Sequence, residues 1–145
     1  MYTDFMEKVP NVIYLAWAVA LMAMLGSLYF SEIMHLPPCV LCWYQRICMY
    51  PLIVILAIGI LKKDAKVYLY ALPFSLIGVV IGVYHNLLYY QILPESIAPC
   101  TQGISCTTKL IEWFGFVTIP LLSLAAFIVI SICLFIFKKS QQKNV

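Results

Sequence analysis

Four stretches of this chain are long and apolar enough to cross a bilayer, and together they hold one formally charged side chain, Arg46. Hydrocarbon about 30 Å thick takes roughly 20 apolar residues of helix, and a backbone in lipid must satisfy its own N–H and C=O groups. The windows run from about Val12 to Phe30, Trp43 to Leu61, Val67 to Tyr90 and Trp113 to Phe137. They predict an all-α membrane protein, a four-helix transmembrane bundle forming one integral domain over residues 1–145. The first window is longer than the roughly 7–15 residue apolar core of a signal peptide and no clear A-x-A site follows it, so it reads as a retained span. Little chain is left for tails and connections, which excludes a soluble catalytic domain beside the spans.

Composition closes other routes. The chain is 64% hydrophobic and 10% charged, against about 25% charged in a soluble domain. A cytosolic enzyme, a nucleic-acid binder and a secreted disulfide miniprotein are excluded, and the net charge of +3 is too small to call for a polyanionic partner. Placement of the charge says more. Lys8, Lys62, Lys63, Lys66, Lys138, Lys139 and Lys143 fall on one side of the spans, and Lys109 alone on the other. By the positive-inside tendency both termini are expected in the cytoplasm, with the loops at about Ser31 to Cys42 and Gln91 to Glu112 facing outward. Trp43, Tyr89, Tyr90 and Trp113 fall where interfacial aromatic belts belong.

That topology sorts the six cysteines. Cys39 and Cys42 lie in the first outward loop, Cys100 and Cys106 in the second, and Cys48 and Cys133 inside spans two and four, where a thiol packs as a small hydrophobe. As staples the loop pairs would be weak: a closed ring of about four residues restrains the unfolded chain by about 1.9 kcal/mol and one of about seven by about 2.4, against about 4.7 for a hundred. Short exposed pairs are typical of labile or catalytic disulfides. Cys39-Val-Leu-Cys42 follows Pro37 and Pro38 at the mouth of span two, where free backbone N–H groups and the helix dipole favour a thiolate. Arg46 comes one turn deeper on the face of Cys42, either to polarise an electron-rich oxygen there or to snorkel to the interface. His85 lies near the outward end of span three, as a pocket-lining hydrogen-bond or proton-transfer group or as a structural hydrogen bond. No metal is expected: five residues separate Cys100 from Cys106, outside the usual zinc-knuckle spacing, and an oxidising compartment disfavours four free thiols. Haem attachment fails because Trp43, not histidine, follows Cys42.

Two exchangeable disulfides on one face suggest an electron wire ending at the lipid boundary, where a lipid-soluble quinone is the acceptor that the location allows. At this point Pro38-Cys39-Val-Leu-Cys42-Trp-Tyr44-Gln-Arg46 resembles the signature of the disulfide bond formation protein B family, DsbB, which reads roughly P-C-x-L-C-x-Y-x-R. Gly82-Val-Tyr84-His85, Pro99-Cys100, and Cys106 followed by Trp113-Phe-Gly115 and Pro120 are further matches, and the short spacing of the second pair resembles the BdbC-like branch. The resemblance implies a multi-pass protein of the bacterial plasma membrane with its redox loops on the extracytoplasmic side. It implies reoxidation of a thioredoxin-like, DsbA- or BdbD-type dithiol oxidase, with electrons passed to menaquinone or ubiquinone. Carried onto this chain, Cys100 would accept the partner's attack, Cys106 would exchange with Cys39, Cys42 would act on the quinone as a thiolate, and Arg46 would hold the quinone oxygen. His85 aligns with a family histidine near the quinone. Two rivals stand beside this reading. One is a vitamin K epoxide reductase-like quinone–thiol enzyme, in which the C-x-x-C comes late in the chain; the other is a non-enzymatic scaffold with crosslinked loops.

Overall fold

The computed structural model describes residues 2–98, 105–107, 112–113 and 117–143. Four long helices dominate it: α1 (Tyr2–Leu28), α2 (Val40–Lys62), α3 (Val67–Tyr89) and α4 (Ile119–Lys143). Each contains a stretch long and apolar enough to cross a membrane. Each packs on its neighbours in sequence, and α4 closes back on α1, giving an up-and-down four-helix bundle. The α1–α2 and α3–α4 connections therefore share one end, while both termini and the α2–α3 turn share the other.

Local chemistry sets the helix ends. After α1 the chain takes one π-helical turn (Tyr29–Ile33), and His35 has a positive φ of 51°. Pro37 and Pro38 follow and bar any helix from running into α2. Cys39 then caps α2: its backbone is extended (φ −73°, ψ 171°) and its sulfur accepts the Cys42 N–H. At the far end Lys63 adopts a left-handed conformation, and the Asp64 N–H reaches Gly59 O at 2.9 Å while the Lys63 N–H reaches Ile60 O at 3.2 Å. This Schellman closure turns the chain straight into α3. Gly59 is needed there, because a Cβ would run into the Val67 side chain.

The core runs along the bundle axis through Leu52, Leu56, Phe127, Ile130 and Leu134, all fully buried. Cys48 and Cys133 lie in this cluster, packed as apolar side chains. Gly78 lets α3 approach α4 so closely that the Phe127 ring occupies the place a Cβ would take. Ser75 donates or accepts with Ser131 at 2.5 Å across the same seam, so these two buried hydroxyls satisfy each other between the helices. Lipid-facing positions carry Met22, Leu61, Val80 and similar residues, all exposed in the isolated chain.

One boundary differs from the sequence reading. The fourth apolar window begins at Trp113, but helix α4 begins at Ile119. Before it, Glu112–Trp113 pairs antiparallel with Val117–Thr118. Proline at the second helical position suits a first turn, where its missing N–H costs nothing, and the Thr118 hydroxyl accepts the Leu121 N–H at 3.3 Å. Hydropathy could not separate this short apolar hairpin from the helix it leads into.

Candidate redox site

The loop end of the bundle gathers three of the sequence-singled cysteines, with Arg46 and His85. Cys39 sits at the mouth of α2, and its Sγ lies 3.1 Å from Cys42 Sγ and 3.4 Å from the Cys42 backbone N–H. Across the gap, α3 presents His85, whose Nε2 is 3.6 Å from Cys39 Sγ. Cys106 arrives from the α3–α4 connection, 3% exposed, and the Cys39 and Cys106 sulfurs and a His85 ring nitrogen all lie within 4.8 Å of one another. Cys106 is disulfide-bonded, and Cys39 and Cys42 carry free sulfurs. Cys100, the other outer cysteine, lies outside the described residues.

The electrostatics favour one sulfur of the inner pair. Cys39 is the residue that receives the helix N-terminus, and the hydrogen bond from the Cys42 side chain is the largest effect on it. Burial works against this, His85 adds a hydrogen bond and its charge, and the sum brings the Cys39 thiol down to about 4. The sequence placed both cysteines at the helix mouth; the fold puts the thiolate-stabilising contacts on Cys39.

Arg46 is buried at 8% exposure rather than extended to the interface. Its Nε donates to Ser27 Oγ and one terminal nitrogen to the Ser27 carbonyl, both at 2.9 Å, and its guanidinium stands 5.4 Å from the centre of the Trp43 ring. Ser27 on α1 thus fixes the arginine on α2.

Two cavities meet at this arginine. A small one of about 70 Å³ is lined by Cys39, Cys42, Arg46, His85, Tyr89 and Cys106 among others. A larger groove of about 470 Å³ opens between α1, α2 and α4, lined by Met22, Ala23, Cys42, Gln45, Arg46 and Met49 among others. Cys42 and Arg46 border both, whereas Cys39, His85 and Cys106 border only the small cavity. Gln45 accepts from Ser123 Oγ at 3.0 Å through Oε1, while its Nε2 is buried without a partner among the described residues.

Several of these residues escaped the sequence reading. The one local signal for Ser27 and Gln45 is that each is a polar residue in apolar surroundings. A third group clasps Cys106: Glu95 accepts hydrogen bonds from Ser105 and Thr107, the two residues flanking that cysteine. Nothing local in the sequence links position 95 to positions 105 and 107. As metal donors, Cys39, His85 and Cys106 are close enough together, but a disulfide sulfur is not the thiolate that zinc needs, which leaves two donors of a usual four. The arrangement is built for sulfur to reach sulfur.

Comparison with known proteins agrees with this chemistry. The family model of the disulfide bond formation protein DsbB matches residues 10–137. The chain is similar to the probable disulfide formation protein C of Halalkalibacterium halodurans, 53% identical over 127 residues, covering 88% of this chain and 93% of the relative. It is 51% identical over 133 residues to the disulfide bond formation protein C of Bacillus subtilis, covering 89% of this chain and 95% of the relative. It is also 45% identical over 130 residues to a probable disulfide formation protein of Metapseudomonas resinovorans, covering 89% and 90%. No solved structure matches the chain. With its four membrane-length helices and its clustered cysteines, the chain belongs to the DsbB family of membrane-bound disulfide bond formation proteins.

Proposed function

We propose that the protein is a protein-dithiol:quinone oxidoreductase, which reoxidises a thioredoxin-like dithiol oxidase of the DsbA or BdbD type and delivers the electrons to a membrane quinone, menaquinone or ubiquinone. The observation that carries this reading is the position of Cys42 and Arg46 on the border between the sulfur-lined cavity and the apolar groove. The groove fits a quinone by its chemistry. Its walls are mainly apolar, and it offers two nitrogen donors, the Arg46 guanidinium and the unpartnered Gln45 amide nitrogen, to ring oxygens. When bound, a quinone accepts two electrons and two protons.

The chain's own residues then divide the work. The outer pair, Cys100 and Cys106, takes electrons from the partner by thiol–disulfide exchange, and Cys106 attacks Cys39 across the small cavity. Cys42 is released as the leaving sulfur beside Arg46, whose positive charge favours the thiolate and orients an oxygen in the groove. Lipid and the groove walls exclude water, so the separated charges are poorly screened. Following the lysine distribution, both termini and the α2–α3 turn face the cytoplasm and the cysteine-bearing end faces out. Arg46 is assigned to the quinone, and Cys39, Cys42, Cys100 and Cys106 to the relay.

The test uses purified full-length protein with a quinone and a reduced thioredoxin-like protein. Thiol loss is expected to depend on the quinone and to vanish in Cys42→Ser. Full activity in that variant, or equal rates with and without quinone, contradicts the proposal.

A further inference from the structure

We infer that His85 is the proton-transfer residue of the exchange between Cys106 and Cys39. The inference rests on the relay described above and assigns one of its steps. His85 is 2% exposed, its Nε2 lies 3.6 Å from Cys39 Sγ, and Cys106 Sγ belongs to the same cluster. It stands on α3, whereas the groove is bounded by α1, α2 and α4, and it does not line that groove.

The cavity leaves few other sites for a proton. Its titratable and charged side chains are Cys39, Cys42 and Arg46 from α2, His85 and Tyr89 from α3, and Cys106 from the α3–α4 connection, with no carboxylate among the described lining residues. Arginine stays protonated and an ordinary tyrosine does too near neutral pH, so imidazole is the one non-sulfur group there that exchanges a proton readily. A thiol attacking in this space must pass its proton to a neighbouring group, and the His85 ring is clustered with both reacting sulfurs.

The step balances as follows. Cys106, reduced by the partner, passes its thiol proton to His85 Nε2 as its sulfur bonds to Cys39. The Cys39–Cys42 bond breaks, and Cys42 leaves with the electron pair as a thiolate. Cys100 gives its own thiol proton to solvent on the outward side as it attacks Cys106 Sγ, the Cys39–Cys106 bond breaks, and Cys39 leaves with its electron pair as the thiolate, while the imidazolium proton passes by way of Cys39 Sγ to the Cys42 sulfur 3.1 Å beyond. The outer disulfide is restored, the inner pair holds two electrons, and His85 ends as it began.

Single-turnover exchange separates this role from the alternatives. Full-length protein oxidised at both pairs is mixed with a reduced thioredoxin-fold protein, quenched with a thiol-alkylating reagent, and scored for the Cys39–Cys106 disulfide. Removing a general acid–base group costs roughly 10²-fold or more. His85→Ala is expected to slow exchange by that order near neutral pH, to make the rate climb with pH as hydroxide replaces the base, and to regain rate with added imidazole. Its apparent KM for the soluble probe quinone menadione should stay within about twofold of the parent, on the groove geometry. His85→Gln, which keeps a hydrogen-bonding amide but cannot take up a proton, should be as slow as the alanine variant. Wild-type exchange rates in His85→Gln overturn the inference, as does a raised menadione KM with unchanged exchange in His85→Ala. Failure of the relay itself reads differently: the parent protein would then form no Cys39–Cys106 species at all.

Discussion

The small cavity and the groove differ in size and lining, although five residues, Cys42 and Arg46 among them, border both. The cavity, about 70 Å³, is small and crowded with sulfur and nitrogen, and is assembled from helix ends and a connecting loop. The groove, about 470 Å³, lies between the flanks of three helices and is mostly aliphatic and methionine-lined. The first suits chemistry between groups that the chain itself supplies; the second suits a ligand that arrives from the lipid. Under the proposed function, the difference makes exchange and electron delivery separable, with Cys42 and Arg46 the point where they join.

Substitutions on either side should break the two apart. The largest effect is expected from comparing Cys106→Ser with Cys42→Ser. The first should lose oxidation of a protein dithiol yet still pass electrons from dithiothreitol to quinone through the inner pair; the second should lose both activities, as rates with each donor will reveal. Next comes Arg46→Ala. Hydrogen bonds to charged groups contribute about 1.5–3 kcal/mol, so the apparent quinone KM should rise by roughly ten- to a hundredfold. Cys39–Cys106 formation in a single turnover should change far less, and an unchanged KM would return Arg46 to a purely structural role.

A pH titration sharpens the exchange side. In the reduced protein the Cys39 thiol titrates near 4, so one thiolate should persist, by its ultraviolet absorbance, from neutral pH down to that region and disappear as pH falls through it. His85 contributes to that lowering, so His85→Ala should move the midpoint upward. Absence of any thiolate at neutral pH contradicts the Cys39 assignment. The smallest effect belongs to Ser27→Ala, which removes one of the two acceptors on the arginine and leaves the carbonyl. A loss of about 1 kcal/mol, or roughly fivefold in quinone KM, is expected, with exchange unaltered.

Much of this plan was legible in the chain, for physical reasons. Four apolar windows and a backbone that must satisfy itself in lipid leave little choice but a bundle. Pro37 and Pro38 ahead of a C-x-x-C announce the start of α2, and the i, i+4 relation of Cys42 and Arg46 follows from helical pitch. The start of α4 was less legible, since Trp113 to Thr118 is as apolar as a helix and only pairing distinguishes it. The separation of His85 from the groove was hidden too. It depends on which helices bound each space, and no single segment encodes that. Ser27, Ser123 and Glu95 act through partners 19, 78 and 10–12 residues away, beyond any local pattern.

The account's central claim is that electrons entering at the outer pair leave through Cys42 into the groove. Its most direct test traps the redox state of Cys39, Cys42, Cys100 and Cys106 by alkylation and mass spectrometry, anaerobically, after addition of a reduced thioredoxin-like partner, with and without quinone. The account predicts that the pairs accumulate as thiols without quinone and return to disulfides when quinone is supplied. Four cysteines that stay oxidised in both conditions would contradict it and mark the bridges as structural crosslinks.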